Sequence, residues 1–200
     1  MVDIVEPQPV ESPPPSPSPP RRSVAIVALA VAVVCAVFFV VLVLAKSSSD
    51  TAKTDLLGRA APPIKSPTVD GQPFDLSARR GSWIVLNFFA TWCAPCRSEH
   101  PELLRFAETH QASGVELVSI ADATDTKSAI DDFVGKNGGA GSWPIVTDPS
   151  SAVRISYGVA KTPETWIIDP NGVVRARVIT TLTATKLDDL LQRVSGGAPR

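Results

Sequence analysis

Trp83-Ile84-Val85-Leu86-Asn87-Phe88-Phe89-Ala90-Thr91-Trp92-Cys93-Ala94-Pro95-Cys96 is the stretch on which the reading of this chain turns. Its apolar first half predicts a strand buried at the centre of a sheet. The two cysteines follow where that strand gives way to a helix running from about Cys93 to His110, with Pro101 inside it and a kink expected there. Cysteines two residues apart can close a small disulfide and open it again. One thiolate attacks a foreign disulfide, and the second thiol resolves the mixed disulfide that results. A helix that starts near Cys93 aims unpaired N–H groups and its positive dipole end at that sulfur, which favours the thiolate.

Two other chemistries use a CxxC pair. A zinc site needs four N or S ligands; beyond the pair, the candidates are Cys35, His100 and His110. Cys35 sits in an unbroken apolar stretch, and the two histidines are ten residues apart, a poor half-site. A static structural disulfide is the other, but so tight a loop at a helix start suits a labile bond better.

The 200 residues divide into one domain and its appendages. Residues 1–22 form a tail whose first twenty residues hold eight of the nineteen prolines and no aromatic. Such a composition buries too little apolar surface to offset its ordering entropy, so disorder is expected. Residues 23–45 form a predicted transmembrane anchor: Val24 to Ala45 carry no charge and reach roughly 33 Å as a helix, enough to cross a hydrocarbon core. Arg21 and Arg22 precede the span, so the N-terminus is placed in the cytoplasm and the rest outside it. Residues 46–63 read as a linker, and residues 64–196 as the folded extracytoplasmic domain. From Lys46 onward seventeen acids balance seventeen Lys plus Arg, with no basic stripe, so nucleic acid is not an expected partner.

Within the domain, Pro67 to Phe74 predicts a short strand pair turning at Asp70-Gly71. Buried strands follow at Trp83 to Phe89 and Val115 to Ala121, a helix at Thr126 to Lys136, a short strand at Pro144 to Thr147 and a short helix at Ala152 to Tyr157. A hairpin joins Glu164–Ile168 to Val173–Ile179 through Pro170-Asn171-Gly172, and an amphipathic helix closes the domain from Ala184 to Val194. This order implies an α/β fold with a mixed central sheet covered by helices on both faces.

The run from Val85 to Pro101 resembles thioredoxin-like proteins, and more narrowly the membrane-anchored TlpA/ResA/DsbE (CcmG) group of bacterial thiol–disulfide oxidoreductases. A second match lies downstream, Tyr157-Gly158-Val159-Ala160-Lys161-Thr162-Pro163-Glu164-Thr165-Trp166-Ile167-Ile168-Asp169, similar to that group's segment around a cis-proline. The resemblance spans about Ile64 to Val194. It implies a thioredoxin-like fold, no cofactor beyond the redox-active Cys93–Cys96 pair, and no metal. Cys93 would be the exposed nucleophile and Cys96 the shielded resolving thiol. Pro163 would be cis, with backbone at Thr162 free to pair with an extended substrate strand. Trp92 would either pack beside the site or serve as an ordinary core aromatic.

Where thioredoxin carries a buried acid in the strand before the cysteines, this chain has Asn87, which cannot accept a proton at neutral pH. Glu164, partly buried near the disulfide, is therefore expected to take the proton of Cys96, its pKa raised by desolvation. A surface glutamate opening a strand is the plainer reading. His100, two turns beyond Cys93, is expected to face solvent or the domain edge, and His110 the surface.

The resemblance implies an anchored reductase of protein disulfides, with apocytochrome c as leading substrate and a membrane thiol carrier as electron donor. A disulfide-introducing oxidase is the alternative, and Ala94-Pro95 does not decide between them. A copper handler using both thiols ranks third, since Met1 is the only methionine.

Overall fold

The computed structural model describes residues 21–44, 55–110 and 113–196, and within 21–44 the side chains of 25–40. The expected tail over 1–20 and the first part of the expected linker lie outside the described residues. The chain forms two units, Met1–Ser47 and Ser48–Arg200.

In the first unit, α1 spans Arg21–Leu44, and its side chains over 25–40 are all exposed. Residues 25–40 rise only about 24 Å, and among the described residues no helix is long and apolar enough to cross a membrane.

The second unit is built on a five-stranded sheet. Its members are β3 (Trp83–Phe89), β4 (Val115–Ala121), β5 (Ile145–Val146), β6 (Glu164–Ile168) and β7 (Val174–Val178), in the order β5-β4-β3-β6-β7. β3 lies parallel to β4 and antiparallel to β6, so the sheet is mixed. The continuous apolar run of β3 follows from its place: a central strand is buried on both faces, and only Trp83 at its start is partly open.

Alternation along β3 sends its side chains into two cores. Val85 and Phe89 join Cys93, Cys96, Leu103, Phe106, Ile130, Phe133, Leu187 and Leu191, the core filled by α2 (Ala94–His110), α3 (Lys127–Asn137) and α5 (Ala184–Ser195). Ile84, Leu86 and Phe88 join Ile64, Phe74, Val153, Tyr157 and Trp166 on the other face. That face is covered by the short helix α4 (Ala152–Tyr157) and by the hairpin of β1 (Lys65–Pro67) and β2 (Pro73–Asp75), with the 3-10 turn Leu76–Arg79 after it. Gly71, at the hairpin turn, has φ 77°, a left-handed conformation that favours glycine.

α3 and α5 start where Thr126 and Thr183 cap the backbone N–H of Ala129 and Lys186. α2 continues through Pro101; this residue is exposed, so the carbonyl it leaves unpaired can be served by water.

The linker expectation needs correction at its end. Gly58 N–H donates to the Val174 carbonyl, Val174 N–H to Arg59, and Ala61 N–H to Gly172, so residues 58–61 run alongside the first residue of β7 and the turn before it. Leu56, Leu57 and Ala61 pack on the second core, and Tyr157 Oη donates to the Pro62 carbonyl. Polar and Ala-Pro composition concealed this because the pairing uses backbone, not side chains. At the opposite edge, Val69 N–H donates to Ile145 and Thr147 N–H to Pro67.

Candidate active site

The two cysteines are joined, with Cα atoms 5.2 Å apart. Cys93 stands at the N-cap of α2: its carbonyl accepts the Arg97 N–H at 3.1 Å and its Sγ accepts the Cys96 N–H at 3.2 Å. A serine or threonine at this position would offer its hydroxyl oxygen to the same amide. Here a sulfur takes that place, so an N–H and the helix dipole already point at the atom that must carry charge on reduction. Pro95, within the first turn, has no N–H to leave unsatisfied.

The expectation of an open Cys93 and a covered Cys96 is too sharp. Cys93 is 5 % exposed and Cys96 2 %. In the closed disulfide both sulfurs belong to the first core, because the helix start folds back against β3.

The loop ahead of Cys93 is held from the β4–α3 connection. Asp125 accepts from Thr91 N–H at 3.0 Å and Thr91 Oγ1 at 2.6 Å, and Arg97 Nη1 donates to the Thr91 carbonyl. Trp92 Nε1 donates to Thr124 Oγ1 at 3.2 Å, and the residue is 63 % exposed. It is therefore a plate beside the disulfide and not a core aromatic.

On α2, Glu99 lies three residues beyond Cys96 and His100 four, the spacings that share a helix face. Glu99 is 2 % exposed. Its Oε1 accepts the Leu182 N–H at 2.7 Å and its Oε2 the Asn87 Nδ2 at 3.1 Å. Asn87 also donates to Thr165 Oγ1 at 3.2 Å. Among the described residues no cation pairs with Glu99. Burial raises its pKa to about 7, against the smaller opposing effect of the two hydrogen bonds. Asn87, Cys96, His100, Ser119 and Trp143 line a cavity of about 10 Å³, at the threshold for one water.

His100 does not face solvent. It is 4 % exposed, its ring edge-on to Phe133 at 4.9 Å, and Nε2 lies 2.7 Å from the Gly138 carbonyl. A carbonyl only accepts, so Nε2 carries the hydrogen. Burial lowers its pKa, and the imidazole is neutral. His110 is half-buried, its Nε2 2.7 Å from Asp188 of α5 and Nδ1 2.9 Å from Ser113 Oγ. Counting from Cys96 and not from Cys93 would have placed His100 inward.

The Thr162–Pro163 bond is cis, Pro163 is buried and Thr162 half-buried. Glu164 does not stand where it was expected. It is fully buried, but it pairs in register with Phe88, whereas Asn87 pairs with Thr165. The pleat sends Glu164 to the face of Phe88, Tyr157 and Trp166, away from Cys96. There its carboxylate accepts from Arg177 Nε at 3.0 Å, Arg177 Nη2 at 3.1 Å and Trp166 Nε1 at 2.8 Å. The acid on the Cys96 side is Glu99.

The AhpC/TSA family model matches residues 57–177. The thiol-disulfide oxidoreductase ResA of Geobacillus thermodenitrificans is 31% identical over 145 residues, covering 72% of this chain and 82% of that one. The chain is a thiol–disulfide oxidoreductase of the AhpC/TSA family. Among solved structures it is similar to a thiol:disulfide interchange protein DsbE from Chlorobium tepidum, with TM-score 0.62, 27% identity and coverage of 69% of this chain and 96% of that one. It is also similar to a secreted Mycobacterium tuberculosis disulfide oxidoreductase homologous to E. coli DsbE, with TM-score 0.55, 27% identity, and coverage of 66% and 95%. The redox group of such an enzyme is the cysteine pair itself. Among the described residues no cluster of three or more His, Cys, Asp or Glu could hold a metal.

Proposed function

We propose that this enzyme is a membrane-anchored, extracytoplasmic reductase of protein disulfides that serves cytochrome c maturation. The observation that carries the chemistry is the Cys96 N–H aimed at Cys93 Sγ in a pair already at bonding distance. In the reduced enzyme, the Cys93 thiolate attacks one sulfur of a substrate disulfide and the other sulfur leaves as a thiolate. Cys96 then attacks Cys93 Sγ. The Cys93–Cys96 bond forms, the mixed disulfide breaks, and the substrate departs with both thiols reduced. A membrane thiol carrier returns two electrons to the pair.

The second attack requires removal of the Cys96 proton. Glu99, one turn along the same helix face and with its pKa near 7, is the carboxylate able to accept it. Asn87 shares the cavity with Cys96 and holds Glu99 in place. Trp92 offers an exposed apolar face to the substrate, and the backbone at Thr162, beside Pro163, offers a pairing edge to an extended chain.

The anchor rests on the charge-free run Val24 to Ala45, on the 24-residue extent of α1, and on the exposed apolar side chains over 25–40. As a helix, the charge-free run Val24 to Ala45 would rise about 33 Å, against a hydrocarbon core of about 30 Å. An export-dependent reporter fused after Arg200 should be active, with a cytoplasmic reporter silent; the reverse pattern would reject the orientation. The direction of electron flow is tested by the reduction potential of the pair. A value near −270 mV supports the reductase, and one near −120 mV the oxidase.

A further inference from the structure

Arg177 lies on the face of the sheet away from the disulfide and takes no part in the exchange step. Its contacts nevertheless converge on one segment. Nε and Nη2 donate to the two oxygens of Glu164, and Nη2 also donates to the Gly158 carbonyl at 2.8 Å. The guanidinium carbon sits 5.0 Å from the centre of the Trp166 ring, whose Nε1 donates to the same carboxylate. Gly158 closes α4 and Glu164 opens β6. Between them runs the loop that carries Thr162 and the cis-bonded Pro163. One guanidinium on β7 therefore fastens both ends of that loop. A planar fork bonded to a carboxylate through two nitrogens fixes direction as well as distance. An apolar pair of similar volume would fill the space equally well and often costs no stability, but it could not reach the Gly158 carbonyl.

We propose that Arg177 is a positioning residue: acting through Glu164 and Gly158, it holds the Thr162 backbone at the spacing an extended, disulfide-bearing polypeptide needs in order to pair with it. The proposal rests on the reading of this loop as the docking edge. It implies that Arg177 matters for polypeptide substrates and not for a small disulfide with no backbone to pair.

The test uses the reduced full-length chain and two oxidants, a disulfide-bridged peptide of about ten residues and bis(2-hydroxyethyl) disulfide. The Glu164→Leu/Arg177→Met double variant removes both buried charges together, so neither is left unpaired. It should lose about tenfold in kcat/KM with the peptide, through KM, as expected for one or two weakened backbone hydrogen bonds. Its rate with hydroxyethyl disulfide should match the parent. Arg177→Lys, which keeps the charge but loses the planar fork that fixes direction at both ends, should fall between. Equal losses with both oxidants, or none with either, would overturn the proposal. A parent that exchanges no faster with the peptide than with hydroxyethyl disulfide would remove the docking reading itself, and the proposal with it.

Discussion

Glu99 and Glu164 are both buried almost completely, 2 % and 0 % exposed, and they lie on opposite faces of one sheet. Glu164 is met by a guanidinium and an indole N–H, Glu99 only by an amide side chain and one backbone N–H. A buried carboxylate without a cation is stabilised by taking up a proton, and the pKa of Glu99 rises accordingly. A buried carboxylate held by a guanidinium is a fixed strut. The same residue type, equally covered, is thus left to bind a proton near neutrality on the disulfide side and is fastened by a guanidinium on the far side. Changes on the first face should reach the chemistry, and changes on the second the fold and its loop.

The largest effect expected is on the first face. Cys93→Ser should abolish exchange, and Cys96→Ser should still attack but accumulate mixed disulfides, visible on non-reducing gels. If Cys96 were the thiol alkylated first in the reduced enzyme, the two roles would be exchanged. On the second face, Arg177→Leu leaves Glu164 buried without its partner and should cost about 3–5 kcal/mol in urea unfolding. The Glu164→Leu/Arg177→Met pair should recover most of that loss; a single variant as stable as the parent would end the strut reading.

Glu99→Gln sharpens the contrast through pH. The folded pKa, about 7, lies above the ordinary value of 4.5. Between the two, the folded state keeps a proton that the unfolded chain releases, so the parent loses stability as pH rises through this window. The loss amounts to about 3 kcal/mol and is complete above pH 7. The variant should lack this decline when unfolding midpoints are compared at pH 5 and pH 8. Its resolution of mixed disulfides should slow about 10²-fold and lose the inflection near pH 7. Smallest is Thr165→Val, which removes one acceptor of Asn87. It should cost about 1 kcal/mol and leave that inflection in place, because Glu99 keeps both of its donors.

Most of the architecture was legible because its signals are local. The Trp83–Phe89 run, the CxxC step and the helix from Ala152 to Tyr157 are each written in consecutive residues, and the observed elements match them to within a residue or two. The side on which Glu164 falls was not local. It depends on which residue of β6 meets Asn87, a register set by pairing across 78 positions of sequence. Glu99 was within reach of a helical count from Cys96, but an acid in a charged stretch reads as a solvated face until Leu182 and Asn87 are seen to cover it. Burial at such a position comes from the β7–α5 loop, which no short pattern announces.

Residues 58–61 beside β7 and residues 67–69 beside β5 have a consequence for an enzyme that binds other chains covalently. An unfolded polypeptide tethered at Cys93 is held at high local concentration against the sheet, the condition under which open strand edges recruit foreign strands and seed aggregates. Here β5 is flanked along its length, and β7 at its first residue, by neighbours from the same chain. The visiting polypeptide can be gripped at the disulfide and its flanking loops, and released, with the β5 edge and the start of β7 closed to it as an additional strand.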